Sequence, residues 1–218
     1  ITYPNGHVVS YSYSSQGTVE TVSLLAGGVV RPIITGMEYN SAGKVIKMTY
    51  GNGMVSDYTY NPLTLRLETH RSTSPAGIAL LNYAYTYDRV GNVKTITDSV
   101  NTATQSFTYD DLNRLISATG AGYGAQTFAY DALGNMTSKA GVNMTYGAGP
   151  AGPHAVTETS SGLKLLYDAN GNMTSKVSSV NGSLAMGYDA ENRLIEIRKT
   201  TQMASSLSLR PGWNLVSF

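Results

Sequence analysis

The segment Phe107-Thr108-Tyr109-Asp110-Asp111-Leu112-Asn113-Arg114-Leu115-Ile116-Ser117-Ala118 alternates, turns and alternates again. Phe107 and Tyr109 flank the polar Thr108, and this period of two marks a strand with one covered face. Asp110 then opens a type I turn, where its carboxylate can accept a local backbone hydrogen bond. Asn113 takes the left-handed position that ends the turn, because Asn tolerates positive φ better than any residue except Gly. A type I turn followed by a left-handed residue is a common hairpin connection. Leu115 starts the return strand, so the segment predicts a β-hairpin.

The same pattern recurs along the chain. Clear copies are Tyr87-Asp88-Arg89-Val90-Gly91-Asn92-Val93, Tyr130-Asp131-Ala132-Leu133-Gly134-Asn135-Met136, Tyr167-Asp168-Ala169-Asn170-Gly171-Asn172-Met173 and Tyr188-Asp189-Ala190-Glu191-Asn192-Arg193-Leu194. Degenerate copies start at Tyr13 and Tyr39, which keep the frame without the Asp. Tyr60-Asn61-Pro62-Leu63-Thr64-Leu65-Arg66-Leu67 carries one extra residue, and Tyr146-Gly147 keeps only the first half. Most successive tyrosines stand 21 or 22 residues apart, with exceptions of 26, 27 and 16. Two residues before each Tyr stands an apolar or aromatic residue: Tyr11, Met37, Tyr58, Tyr85, Phe107, Phe128, Met144, Leu165 and Met186. A fixed period of this length is the signature of a repeat architecture. One hairpin cannot bury its face alone, so neighbouring hairpins are expected to pair into a continuous sheet.

Composition agrees. The 218 residues include 16 Tyr but only 3 Phe and 1 Trp, with 23 Gly. Tyr and Thr favour strands, and Gly, Asn and Asp favour turns. The length is enough for a sizeable core, as one domain or one repeat array. Only 13% of residues are charged and the net charge is +1, so there is no basic run to track phosphates and nucleic-acid binding is not expected. With no Cys, disulfides and Cys-based zinc sites are excluded. No apolar stretch approaches the roughly 18 residues of a membrane-spanning helix.

These residues resemble the YD-repeat family, which includes bacterial Rhs proteins, shell-forming subunits of insecticidal toxin complexes, wall-associated proteins and animal teneurins. The resemblance runs from about Ile1 to Lys199 and extends to phrases such as Thr49-Tyr50-Gly51-Asn52-Gly53 and Gly149-Pro150-Ala151-Gly152-Pro153-His154-Ala155-Val156-Thr157. It implies an all-β fold of tandem hairpins in a continuous spiralling sheet, a partial β-shell. In the toxin branches it also implies an enclosed C-terminal cargo released by an aspartyl autoprotease. The Asp-Pro-x-Gly-type motif expected of that autoprotease is missing from this sequence. The repeat array is expected over 1–199. A different β segment is expected over 200–218, where Pro211-Gly212 signals a turn. Ile1 and Phe218 both look like cut ends of a longer chain.

Chemistry elsewhere is sparse. His7, His70 and His154 have no second His or Cys at metal spacing, and His154 reads as a loop residue. Gly147-Ala148-Gly149-Pro150-Ala151-Gly152 matches a dinucleotide fingerprint in letters, but Pro150 removes a donor and no helical period follows. Ser161-Gly162-Leu163-Lys164 stands alone inside a repeat. Asp88, Asp110, Asp131, Asp168 and Asp189 recur like a calcium ladder, yet one Asp per repeat supplies too few oxygens. No catalytic, cofactor-binding or metal residue is expected. The residues expected to matter are structural: Tyr87, Asp88, Gly91, Tyr109, Asp110, Asn113, Tyr130, Asp131, Gly134, Tyr167, Asp168, Gly171, Tyr188, Asp189 and Asn192. The expected role is a non-enzymatic segment of a larger extracellular or cell-surface protein. Its partners would be the rest of that polypeptide and an enclosed cargo. A carbohydrate-binding or adhesion module using exposed Tyr is the alternative, with a glycan-active enzyme behind it. Buried tyrosines favour the first role and exposed rows of tyrosine the second.

Overall fold

A computed structural model describes residues 1–178 and 182–200. Among them the fold is all-β, without helices. The chain divides between Thr127 and Phe128 into two compact units. The first contains β1 (Val8–Tyr13), β2 (Val19–Ala26), β3 (Val29–Tyr39), β4 (Val45–Tyr50), β5 (Val55–Tyr60), β6 (Leu67–Thr73), β7 (Ala79–Tyr87), β8 (Val93–Asp98), β9 (Ala103–Tyr109), β10 (Leu115–Gly120) and the opening of β11 (Gly124–Tyr130). The second holds the end of β11, then β12 (Met136–Lys139), β13 (Val142–Tyr146), β14 (Val156–Thr159), β15 (Leu163–Tyr167), β16 (Met173–Ser178), β17 (Gly182–Tyr188) and β18 (Leu194–Thr200). Each strand pairs antiparallel with its successor, so the topology is a pure meander.

Every odd-numbered strand ends on a repeat tyrosine, and the following turn delivers the chain to the even-numbered strand. At each of these hairpins the register slips by one residue beside the tyrosine. Tyr87 pairs with Val93 and Thr86 with Thr95, leaving Lys94 as a β-bulge. Tyr130 pairs with Met136 and Ala129 with Ser138, leaving Thr137. Tyr167 and Tyr188 repeat the arrangement with Thr174 and Ile195 as bulge residues. A bulge bends the strand and raises its twist. The bulge is therefore part of the repeat, although period-two alternation alone does not reveal it.

The length allows a sizeable core, but the described residues bury few hydrophobic side chains. Among them only Ala118, 5% exposed, and Leu165, 7% exposed, are buried hydrophobics. Among the described residues of each unit the strands contact only their chain neighbours, so there a side chain is covered by its flanks and not by a second layer. The repeat tyrosines from Tyr39 onward are accordingly half-buried. Stability then comes from nearest-neighbour interfaces, as in other one-dimensional arrays. On the opposite face the residue before the tyrosine pairs hydroxyl to hydroxyl across the hairpin. Ser12 meets Thr21 at 2.7 Å, Thr59 meets Thr69 at 2.6 Å and Thr86 meets Thr95 at 2.6 Å. Such cross-strand Thr pairs are a recognised stabilising unit of sheets.

Candidate functional site

The recurring chemistry lies at the turns. At Asp131 the backbone N–H donates to the Asn135 carbonyl at 2.9 Å, and the Gly134 N–H donates to the Asp131 carbonyl at 3.1 Å. The carboxylate oxygen Oδ1 accepts from the backbone N–H groups of Leu133 and Asn135, and Oδ2 accepts from Asn135 Nδ2, each at 2.9 Å. Asp168 is held the same way by Asn170 and Asn172. Asp88 takes Gly91 N–H at 2.7 Å and both nitrogens of Asn92. At Asp110 and Asp189 the closing side chain is Arg, and Nε of Arg114 and of Arg193 donates to the second carboxylate oxygen at 2.7 Å. In all five clear copies of the repeat this position is Asn or Arg. It is the second half of the cap.

These hydrogen bonds fix the charge state. Backbone donation by Arg114 and Arg193, reinforced by their guanidinium groups, holds the carboxyls of Asp110 and Asp189 below the usual carboxylate range. The Asn172 side chain does the same for Asp168. At Asp88 and Asp131 partial desolvation pushes upward, but the bonds from Asn92 and Asn135 and from the turn backbone outweigh it. In the degenerate repeats Ser14 and Asn40 replace Asp as acceptor, Ser14 for Gln16 and Thr18 and Asn40 for Ala42 and Lys44. The left-handed turn position is filled by Gly91 (φ 111), Asn113 (φ 61), Gly134 (φ 87), Gly171 (φ 87) and Asn192 (φ 60). The extra residue after Tyr60 moves that position to Leu65 (φ 56), a conformation that costs a bulky residue strain.

The tyrosines reach beyond their own hairpin. The hydroxyl of Tyr39 donates to the Val19 carbonyl at 2.8 Å, Tyr60 to Val45 at 3.0 Å, Tyr87 to Leu67 at 2.7 Å and Tyr109 to Val93 at 2.9 Å. In the second unit Tyr146 donates to Met136 at 2.8 Å, Tyr167 to Val156 at 2.9 Å and Tyr188 to Met173 at 3.1 Å. Each acceptor is the residue paired with the preceding repeat tyrosine, one position before the bulge. The ladder to the next strand begins further on: β6 meets β7 at Thr69 opposite Ala84, and β8 meets β9 at Thr95 opposite Ser106. The tyrosine hydroxyl therefore satisfies a carbonyl that the sheet leaves over, as the accounting of buried backbone groups requires. Burial of the ring and the charge of neighbouring phenols push the Tyr85 hydroxyl pKa up, and burial does so at Tyr87, Tyr109 and Tyr167.

Adjacent turns also touch. Asn92 Nδ2 donates to Asn113 Oδ1 at 2.9 Å, and Asn172 Nδ2 to Asn192 Oδ1 at 2.8 Å. The Arg66 guanidinium donates to the Asp88 carbonyl at 2.9 Å and lies 5.8 Å from the Tyr87 ring centre. It packs so closely on Gly91 that a β-carbon there would stand 2.8 Å from its Nη2. The shortened repeat at Tyr146 uses its loop instead. Asn135, 7% exposed, donates to the Pro153 carbonyl at 3.0 Å and meets His154 Nδ1 at 2.7 Å. His154 is thus a loop residue with a defined partner, a clasp not foreseen from the sequence. His70 stacks on Tyr58 with ring centres 4.4 Å apart and an angle of 16°. Its Nε2 lies 3.3 Å from Ser72 Oγ, which bonds the 2%-exposed Ser56 at 2.7 Å. Burial lowers the His70 pKa. Among the described residues no three His, Cys, Asp or Glu side chains come together as metal ligands would. The expected segment over 200–218 lies outside the described residues, apart from Thr200 at the end of β18.

Among known proteins, the toxin subunits YenC1 and YenC2 of Yersinia entomophaga are similar to this chain. They are 30% identical over 131 residues and 31% identical over 153 residues, covering 53% and 51% of the chain. The matched segments are 13% and 16% of those subunits, so the chain spans a small part of their length. Its fold is similar to the Tc holotoxin pore structure of Photorhabdus luminescens, with TM-score 0.67, 22% identity, 93% of this chain and 13% of that one. It is also similar to the TcdB2-TccC3 crystal structure, with TM-score 0.65, 22% identity, 91% of this chain and 13% of that one. The family described as Teneurin YD-shell matches residues 79–205, more than half of the sequence, and the chain belongs to that family.

Proposed function

We propose that this chain is a wall segment of a larger secreted or cell-surface protein, with residues 1–199 contributing tandem hairpins to a spiralling β-shell that encloses or scaffolds other parts of the polypeptide. The observation that carries this reading is the use to which the repeat chemistry is put. Seven tyrosine hydroxyls are given to backbone carbonyls of the preceding repeat. The five repeat aspartates are given to their own turns. Half-buried, hydrogen-bonded tyrosines support a structural role over adhesion through exposed aromatic rows. The low-pKa carboxylates are ionised turn caps, which gives them no general-acid role. The chain acts without a catalytic step of its own, and its partners are the remainder of the parent polypeptide and an enclosed C-terminal cargo.

Protease protection of the intact parent protein tests this. Sequence downstream of the repeats should resist digestion until the wall is unfolded by denaturant. Digestion of that sequence at the same rate with and without denaturant would sink the enclosing role.

A further inference from the structure

Six carboxylates lie in the second unit as far as Thr200, and each has a partner among the described residues. Asp131, Asp168 and Asp189 cap turns. Glu158 pairs with Lys164 at 3.7 Å, Glu191 with Arg193 at 3.0 Å and Glu196 with Arg198 at 2.6 Å. Lys176 and Lys199 have no such partner among the described residues, and both line one hollow of about 390 Å³ on the face that carries the repeat tyrosines. The register explains why they converge. Leu165, Lys176, Leu184 and Lys199 stand opposite one another on β15, β16, β17 and β18. Two ammonium stems therefore flank Leu184, with backbones about 10 Å apart at ordinary strand spacing. Leu163 adds a second apolar wall, and Ser161 and Ser178 add hydroxyls.

We infer that this hollow is a binding site for an amphipathic carboxylate, an anionic head joined to a short aliphatic group. The head would sit between the two ammonium groups, where charge-assisted hydrogen bonds are about twice as strong as neutral ones. The aliphatic part would cover Leu163 and Leu184, over which no second layer lies among the described residues. The inference is independent of the shell reading, because it rests on the charge balance and register of this unit alone.

The test is titration of the full 218-residue chain with hexanoate, followed by NMR of the Leu methyl groups. Parallel titrations use 1-hexanol and inorganic phosphate. Hexanoate should shift the Leu163 and Leu184 methyl signals saturably, and more tightly than either control. Lys176→Gln and Lys199→Gln should each weaken binding about tenfold, while Lys94→Gln, on β8, should not. Added salt should weaken binding, because exposed charges are screened. All three lysines are exposed, so the variants should keep the wild-type circular dichroism and melting temperature. No saturable shift, equal binding of hexanol, equal binding of phosphate, or unchanged binding by both lysine variants would each overturn the inference.

Discussion

The Tyr87 hydroxyl donates to the carbonyl oxygen of Leu67, 20 residues upstream, at 2.7 Å. Leu67 is the residue that pairs with Tyr60, the tyrosine of the preceding repeat. One tyrosine thus joins its own strand end to the place where the previous hairpin bulges, and the relation recurs in both units. The first tyrosine in the series, Tyr13, is 60% exposed and has no hydroxyl partner among the described residues.

This contrast predicts the cost of removing single hydroxyls. Tyr87→Phe and Tyr167→Phe should each lower the unfolding free energy by about 1 kcal/mol, since each leaves a carbonyl unpaired. Tyr13→Phe should change it by less than about 0.5 kcal/mol. Urea melts of the three variants check this, and equal effects at all three positions would show that the hydroxyls do not couple repeats.

Gly91 and Gly134 share the left-handed turn position but not their surroundings. A β-carbon at Gly134 meets open space, whereas one at Gly91 meets the Arg66 guanidinium. Gly134→Ala should cost about 1 kcal/mol from backbone conformation alone, and Gly91→Ala should cost more. Adding Arg66→Ala should recover the excess, and a double-mutant cycle measures that recovery. Strict additivity would mean that Arg66 does not press on the turn.

Packing at adjacent residues of β15 differs sharply. Leu165 is 7% exposed and Leu166 is 61% exposed. Leu165→Ala should cost about 2 kcal/mol or more, and Leu166→Ala about 0.5 kcal/mol or less. Thermal melts that rank the two the other way would put the wrong face of the strand inward.

Acid should act in two stages. His70 has a folded pKa below its ordinary 6.5, so the unfolded chain binds the proton first and stability falls as pH drops below 6.5. Tyr58, Ser72 and Tyr83 surround it on β5, β6 and β7. The repeat aspartates have folded values below 3.8. Their contribution is complete above that value and is lost as pH falls through the folded value. His70→Phe should flatten the decline in melting temperature between pH 7 and 5 and leave the decline below pH 4 intact. An unchanged upper stage would remove His70 from this role.

The strands and turns were legible because they depend on side-chain type. Alternation marks β9 around Phe107 and Tyr109, and Asp110 with Asn113 marks its turn. The links between repeats were not legible. The partner of the Tyr87 hydroxyl is a main-chain carbonyl, which every residue has, so Leu67 carries no mark of its role. The bulge at Lys94 is likewise a backbone event. Arg66 looked like the end of a turn with an extra residue, because its contact with Gly91 spans two strands. Alternation reports only which face is covered, and among the described residues that cover comes from strand neighbours and not from an opposing layer.

Electron microscopy of the intact parent protein addresses the wall directly. A closed β-wall with separate density inside is the expected result, and the repeats described here would form part of that wall. An array with both faces open to solvent and no enclosed density would contradict the proposed role.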